Sequence, residues 1–211
     1  MRHGQTADNV AMRYLGRRDE RLTDTGRTQA DRAAAALASF PIQVIFTSPL
    51  IRAADTAARI QEKCGAVLFE DVRLIEGSFG RWEGFRRDEL IRSGGPDAER
   101  LLQWEADASC APPGGESLQD VQARVVDFVS ELEREWAGSA VALVSHVGPI
   151  KALLAYALDI PLLATRRLFL DPCSISVVDL GERPFVRLFN SHAHLGWESP
   201  RWAVLPGDAE L

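Results

Sequence analysis

A three-layer α/β fold is what this sequence predicts: a mostly parallel central sheet, helices on both faces, and a small helical cap. Three observations carry it. Short apolar runs rich in β-branched residues alternate with longer runs of helical spacing. Reactive polar residues fall just past the ends of the short runs, where ligands bind in open α/β sheets. Finally, 211 residues with 46% apolar and 26% charged side chains are enough for one substantial core.

The elements follow in chain order. TDTGRTQADRAAAALASF (Thr23 to Phe40) reads as a helix, with Thr23 as N-cap and an alanine-rich body. QVIFTS is a short buried strand. PLIRAADTAARIQEKCG is a helix with Pro49 near its start and Gly65 at its end. VLFE is a second strand, which completes a strand–helix–strand unit of the parallel kind. From about Gly77 to Gly115 the chain is rich in Gly, Pro, Arg and Trp and is expected to form a cap with one or two short helices. A long helix then starts at Ser117, boxed with Asp120, and places Val121, Val125, Phe128 and Leu132 on one face. AVALVS is a fully apolar strand, VGPIKALLAYAL a helix, and SISVVDL with FVRLFNS a closing pair of strands. No repeat, linker or second domain is visible, so residues 1–211 are expected to form one domain with an insertion at about 77–115.

Composition narrows the function classes. A net charge of −6 argues against a nucleic-acid partner, which needs a basic face, but not against a small anion held by a few local cations. Cys64, Cys110 and Cys173 are odd in number and far apart, which fits a reducing, cytoplasmic setting. No apolar run approaches the roughly 20 residues of a membrane span, and the start lacks a secretory pattern. No membrane partner is expected.

Four polar positions stand out. His146 follows the AVALVS strand, Arg52 lies in the first turn after QVIFTS, and Glu76 comes shortly after VLFE. The opening MRHGQTADN taken alone reads as a solvated tail, yet its Arg2 and His3 fit the same geometry if a strand precedes them. Singly each has an ordinary structural reading; jointly they suit a phosphate ester. Two guanidinium groups can grip phosphoryl oxygens. A neutral imidazole attacks phosphorus, and nearby arginines favour that neutral form. A second histidine can stabilise an equatorial oxygen, and a carboxylic acid can protonate the leaving alkoxide and then activate water.

RHGQTADN, LTDTGRTQA, SPLIRAADTA, LIEGSFGRWEG, GGES and VSHVGPIKALL occur in the order seen in the histidine phosphatase superfamily, and from residue 2 to about 158 the chain resembles its phosphatase branch. The resemblance implies that His3 is phosphorylated during turnover, that Arg2, Arg52 and His146 form the phosphate pocket, and that Glu76 is the proton donor. It further implies substrate contacts from Gln5, Thr6, Asn9 and Gly148, no metal and no organic cofactor. The expected activity is a metal-independent phosphomonoesterase acting on a small phosphorylated metabolite. A mutase of the phosphoglycerate type and a non-enzymatic phosphometabolite binder are the alternatives; the short EGSFGRWEG stretch speaks against the mutase. Phe79, Trp82 and Phe85 can line the leaving-group side and Arg81, Arg86 and Arg87 can meet a second anionic group, or all six can serve packing and solvation.

The resemblance also implies an apolar strand ahead of Arg2, where this sequence has only Met1. A truncated first strand is expected to leave backbone groups unpaired, at roughly 1–3 kcal/mol for each buried one, and to set an α-amino group near the phosphate pocket. Further residues upstream are the favoured explanation; a genuine short form, with the first strand absent or replaced, is the alternative. His192 and His194 form an HxH too sparse to indicate a metal site. Trp197 and Trp202 are expected to anchor the C-terminus on the domain or on a second subunit, which leaves a homodimer open.

Overall fold

A computed structural model describes residues 1–196 of the chain. Its centre is a parallel sheet of three strands, β1 (Ile42–Thr47), β2 (Val67–Glu70) and β3 (Ala140–Val144), in the order β2-β1-β3. The register sets Ile45 opposite Leu68 and Ala142, and Phe46 opposite Phe69 and Leu143. Strand side chains alternate between faces. Ile45 and Val144 therefore meet α2 (Asp24–Leu37) and α3 (Ile51–Cys64) through Ala34, Leu37, Ala53, Ala57 and Ile60. Phe46, Val141 and Leu143 meet the opposite layer, formed by α6 (Leu118–Glu135) and α7 (Val147–Leu158). A one-residue slip would reverse both faces, so the two apolar layers fix the register.

Local signals set the helix ends. Thr23 caps α2 by accepting from the Gly26 N–H, Gly65 closes α3 with a φ of 70°, and Ser117 with Asp120 forms a reciprocal capping box on α6. A short helix α1 (Ala7–Val10) sits just after the RHG segment, capped by Thr6.

Between Glu76 and Glu116 the chain forms α4 (Arg87–Ser93) and α5 (Gly95–Ala106). They close over Trp82, Leu90, Leu101, Trp104 and Cys110, with Tyr14 and Phe79 against them. Tyr14 belongs to the loop after α1 and ties the two regions together: its N–H donates to Phe85 O and its carbonyl accepts from Gly84. Trp82 is fully buried, whereas Phe85 is exposed. Arg81, Arg86 and Arg87 pair with Asp97, Asp88 and Glu105. Packing thus engages Trp82, and surface pairing engages the three arginines.

The sheet does not close beyond β3. β4 (Ile175–Asp179) and β5 (Phe185–Ser191) form a separate antiparallel hairpin. Only Met1 to His3 lie between β3 and the start of that hairpin. On one side Arg2 bridges Ser145 in parallel, with His3 N–H on Ser145 O, Ser145 N–H on Met1 O and the Met1 amine on Leu143 O at 2.6 Å. On the other, Arg2 N–H meets Ser174 O and Cys173 N–H meets His3 O. Past Met1 the position continues as a cavity of about 640 Å³ lined by Val141 and Leu143 of β3, Ser176 and Val178 of β4, and Val125, Val129 and Leu153 of the helices behind.

Met1 answers the expectation of a charged amine at the pocket. Burial lowers its amine from 8.0 to about 6, so at neutral pH the group is mostly uncharged. The sign of the linkage follows. A lowered amine contributes stability that is complete above pH 8 and lost as pH falls towards 6, because the unfolded chain takes up the proton first. Two pKa units correspond to roughly 2–3 kcal/mol. Melting temperature is expected to fall between pH 8 and pH 6, and N-terminal acetylation is expected to flatten that part of the profile. An unchanged slope after acetylation would assign the effect elsewhere.

Candidate active site

Every polar residue singled out above sits where a strand ends. His146 follows β3 and is the N-cap of α7; Arg52 is in the first turn of α3 after β1. Glu76 follows the short turn Val72–Leu74, which the Ser145 hydroxyl ties to the end of β3 by donating to Leu74 O at 2.7 Å. Arg2 and His3 continue the same row. All five are buried.

The His3 ring is held in one tautomer. Its Nδ1 lies 2.7 Å from Gly4 O, and because a carbonyl only accepts, Nδ1 carries the proton. Nε2 is left with its lone pair. The His3 and His146 ring centres are 5.0 Å apart. Burial, with the charges of Arg2 and Arg52, holds His3 well below the usual histidine value of 6.5. His146 is lowered by burial, then by His3 and the same arginines. Both rings stay neutral through the physiological range.

Gly4 makes this loop possible. A Cβ there would stand 2.5 Å from Gly26 O, and one on Gly26 would stand 2.1 Å from Gln5 O. The RHG loop and the start of α2 pass each other at backbone contact, with Thr56 Oγ1 accepting from Gly4 N–H at 3.1 Å. Thr56 lies one turn after Arg52, on the same face of α3.

Backbone carbonyls orient both arginines. Arg52 donates to Gly16 O at 2.7 Å and Arg18 O at 2.8 Å, and Arg2 donates to Leu170 O at 2.6 Å. Guanidinium groups held this way can present their remaining N–H groups to an anion. His146 Nε2 is 2.7 Å from Ser48 Oγ; that oxygen accepts from Leu50 N–H, and its hydroxyl can donate to Nε2, which places the ring proton of the neutral histidine on Nδ1. Its Nδ1 is buried with no hydrogen-bond partner among the described residues. An unpartnered buried ring nitrogen costs about 1–3 kcal/mol unless a ligand meets it.

Glu76 presents its carboxylate edge-on to two backbone amides. Oε1 accepts from Gly77 N–H at 2.9 Å and Gly148 N–H at 3.0 Å. Burial raises its pKa, against those amides and Arg52. A side chain at Gly148 would lie 2.4 Å from Oε1. Gly148, expected near the phosphate, holds the glutamate through its N–H. Thr6 and Asn9 likewise cap α1 reciprocally, Gln5 Oε1 accepts from the Thr23 hydroxyl, and Gln5 N–H donates to Gln29.

Sequence reasoning missed Ser48, which orients His146, and Thr56, which orients Gly4. Both carried a signal: Ser48 follows β1 as His146 follows β3, and Thr56 is four residues from Arg52. His192 and His194 pin the end of β5, His194 to Cys173 O at 3.0 Å and His192 to Asn190 O at 3.3 Å. Among the described residues no group of three or more His, Cys, Asp or Glu is placed to hold a metal, and no helix is long and apolar enough to cross a membrane. The three cysteines are free. Trp197 and Trp202 lie outside the described residues.

Two neutral histidines, two buried arginines and a glutamate of raised pKa thus gather at the strand ends. The model of the histidine phosphatase superfamily (branch 1) matches residues 1–191. The chain belongs to that superfamily. Glucosyl-3-phosphoglycerate phosphatase of Mycobacterium tuberculosis is 43% identical over 169 residues, covering 76% of this chain and 74% of that protein. Phosphoserine phosphatase 1 of Hydrogenobacter thermophilus is 32% identical over 197 residues, covering 93% and 92%. The structure of a mycobacterial glucosyl-3-phosphoglycerate phosphatase in complex with VO3 superposes with a TM-score of 0.81 at 37% identity, over 90% of this chain and 96% of that one. This histidine phosphatase is accordingly a phosphoric monoester hydrolase, and the row of strand-end residues is its candidate centre.

Proposed function

We propose that the chain hydrolyses small phosphomonoesters through a phosphohistidine on His3, without a metal. The observation that carries this reading is the His3 ring, fixed by Gly4 O so that its unprotonated Nε2 stands beside Arg2, Arg52 and His146. In the first step His3 Nε2 attacks phosphorus in line and the P–O bond to the alcohol breaks. Glu76 gives its proton to the departing oxygen. In the second step the ionised Glu76 takes a proton from water, whose oxygen attacks phosphorus and releases phosphate from His3. Arg2, Arg52 and the His146 Nδ1–H hold the equatorial oxygens, a role metal ions fill in other phosphatases. Asn9 and the segment around Gln5 and Thr6 shape the rim.

Relatives named for glucosyl-3-phosphoglycerate and for phosphoserine suggest an ester whose alcohol also carries a carboxylate. Phosphate release from p-nitrophenyl phosphate in EDTA tests the reading, and Glu76→Gln tests its acid. Activity is expected to survive EDTA. In the wild type the alkaline limb of the pH profile follows Glu76, whose raised pKa keeps the acid protonated at higher pH than an ordinary glutamate. The acid limb lies low, because His3 protonates well below 6.5. Glu76→Gln is expected to lower kcat by about 10²- to 10⁴-fold and to remove the alkaline limb. A variant with a wild-type profile would take the proton transfer away from Glu76.

A further inference from the structure

The surroundings of Glu76 and Arg2 hold more positive charge than one phosphate requires. Arg2 and Arg52 already match the two charges of a phosphomonoester. Beyond them stand Lys151 and Arg166, in a chain whose net charge is −6.

Lys151 lies on α7 three residues after Gly148 and four after Val147. Residues at this spacing share a helix face, and Gly148 is the residue whose N–H meets Glu76. Lys151 is half-buried and makes no hydrogen bond or ion pair among the described residues. The charges that act on it are Arg166, Glu76 and Arg2, and burial with the arginines lowers its amine to about 8. A lysine placed to bond a structural carboxylate would show the opposite shift.

Arg166 comes from the turn Leu162–Arg167, which packs against α7. Its guanidinium lies 3.9 Å above the Trp104 ring and donates from Nη2 to Trp104 O at 2.6 Å. Its Nε is buried without a hydrogen-bond partner. The carboxylate that acts on it, Glu105, is itself held by Arg87 at 2.6 and 2.9 Å. Trp104 leads back through Phe79 to Tyr14, with ring centres 5.8 and 4.8 Å apart, and Phe79 is three residues past Glu76. An aromatic wall thus runs from the proposed acid to the second pair of cations. Holding two like charges half out of water is unfavourable unless an anion joins them.

We propose that Lys151 and Arg166 form a second anion subsite, which binds a carboxylate on the alcohol portion of the substrate while Tyr14 and Phe79 flank its carbon skeleton. The proposal rests on the phosphatase reading above and adds to it the residues that select the substrate. A carboxylate is preferred to a second phosphate because Arg166 has already committed one nitrogen to Trp104 O, leaving one donor edge beside the single amine of Lys151.

The test compares 3-phosphoglycerate with glycerol 3-phosphate, which differ by a carboxylate against a hydroxymethyl group. The wild type is expected to favour 3-phosphoglycerate in kcat/KM. Lys151→Met is expected to shrink that preference by about 10- to 100-fold, the effect of losing one charge-assisted contact, and Lys151→Arg to restore most of it. Arg166→Gln, which retains a donor to Trp104 O, is expected to act in the same direction. No wild-type preference, or a loss in Lys151→Met that falls equally on both esters, overturns the subsite. Hydrolysis of p-nitrophenyl phosphate in the same preparations separates the two ideas: its persistence in His3→Ala would overturn the phosphatase reading, whatever Lys151 does.

Discussion

Replacing His3 with alanine is expected to lower phosphate release by about 10³- to 10⁶-fold, the range seen when a nucleophile acting as part of a unit is removed. The expectation rests on three features of the ring. Its tautomer is set by Gly4 O, its neutral form is favoured by burial and two arginines, and it lies 5.0 Å from His146. Arg2 and Arg52 are oriented by Leu170, Gly16 and Arg18 carbonyls, none of which depends on the His3 side chain. Inorganic phosphate is therefore expected to bind the variant within a few-fold of the wild type. The loss would fall on the chemical step, with substrate binding largely retained. The melting temperature of the variant separates lost chemistry from lost folding, because a buried side chain is being truncated. If His3→Ala folds and keeps more than a few per cent of wild-type turnover, water attacks phosphorus directly and His3 is only a binding group. Trapping the intermediate gives an independent reading: a histidine-bound phosphoryl group forms in the wild type and is absent from the variant.

Extending the chain ahead of Met1 by about five apolar, β-branched residues is expected to raise the melting temperature by about 10 °C. The strand to be matched, β3, has five residues. The bonds around Met1 already define a parallel ladder, with His3 on Ser145 and Met1 on Leu143. Continued by two residues at a time, it brings new backbone groups to the Leu143 N–H and then to Val141. Alternate side chains of the added strand would enter the cavity between Val125, Val129, Leu153 and Val178. Each well-buried Val or Leu contributes about 1.5–3 kcal/mol, and each kcal/mol is worth about 2–4 °C in a domain of this size. The entropy of ordering the added residues takes back part of the gain. Extension also converts the Met1 amine into an ordinary amide, so the fall in stability between pH 8 and pH 6 is expected to vanish with it. A Gly-Ser extension of the same length serves as control, since it can complete the ladder without filling the cavity. Equal melting temperatures for the two extensions would show that the space between β3 and β4 is not a strand position.

Much of this molecule was open to reading from local pattern. Thr23, Gly65 and the Ser117–Asp120 box marked helix ends, because caps act within a few residues. β1 and β3 were legible as short apolar runs, while the face each side chain takes was set by the helix layers packed on either side. His146, Arg52 and Glu76 stood out because each comes shortly after an apolar run, where a parallel sheet collects its ligand-binding residues; Arg2 and His3 joined them only through the resemblance of the RHG segment. The rim was less legible. Thr6 and Asn9, expected at the substrate, also cap α1, a second role that sequence does not separate from the first, since a short polar side chain can serve a helix end or a ligand.

By itself, then, the sequence determined the order and ends of the elements, the parallel architecture, and the residue types that meet at the strand ends. The tertiary structure decided whatever depends on distance between remote segments. It put Gly148 against Glu76, 72 residues away, and Ser48 against His146, 98 residues away. It also brought Lys151 under the influence of Arg166 and Glu76, and set residues of β3 and β4 on the walls of one cavity. The physical reason is the same for all of these. Capping and periodicity are energies of neighbours along the chain, whereas burial, charge compensation and ladder completion are set by what the fold brings alongside.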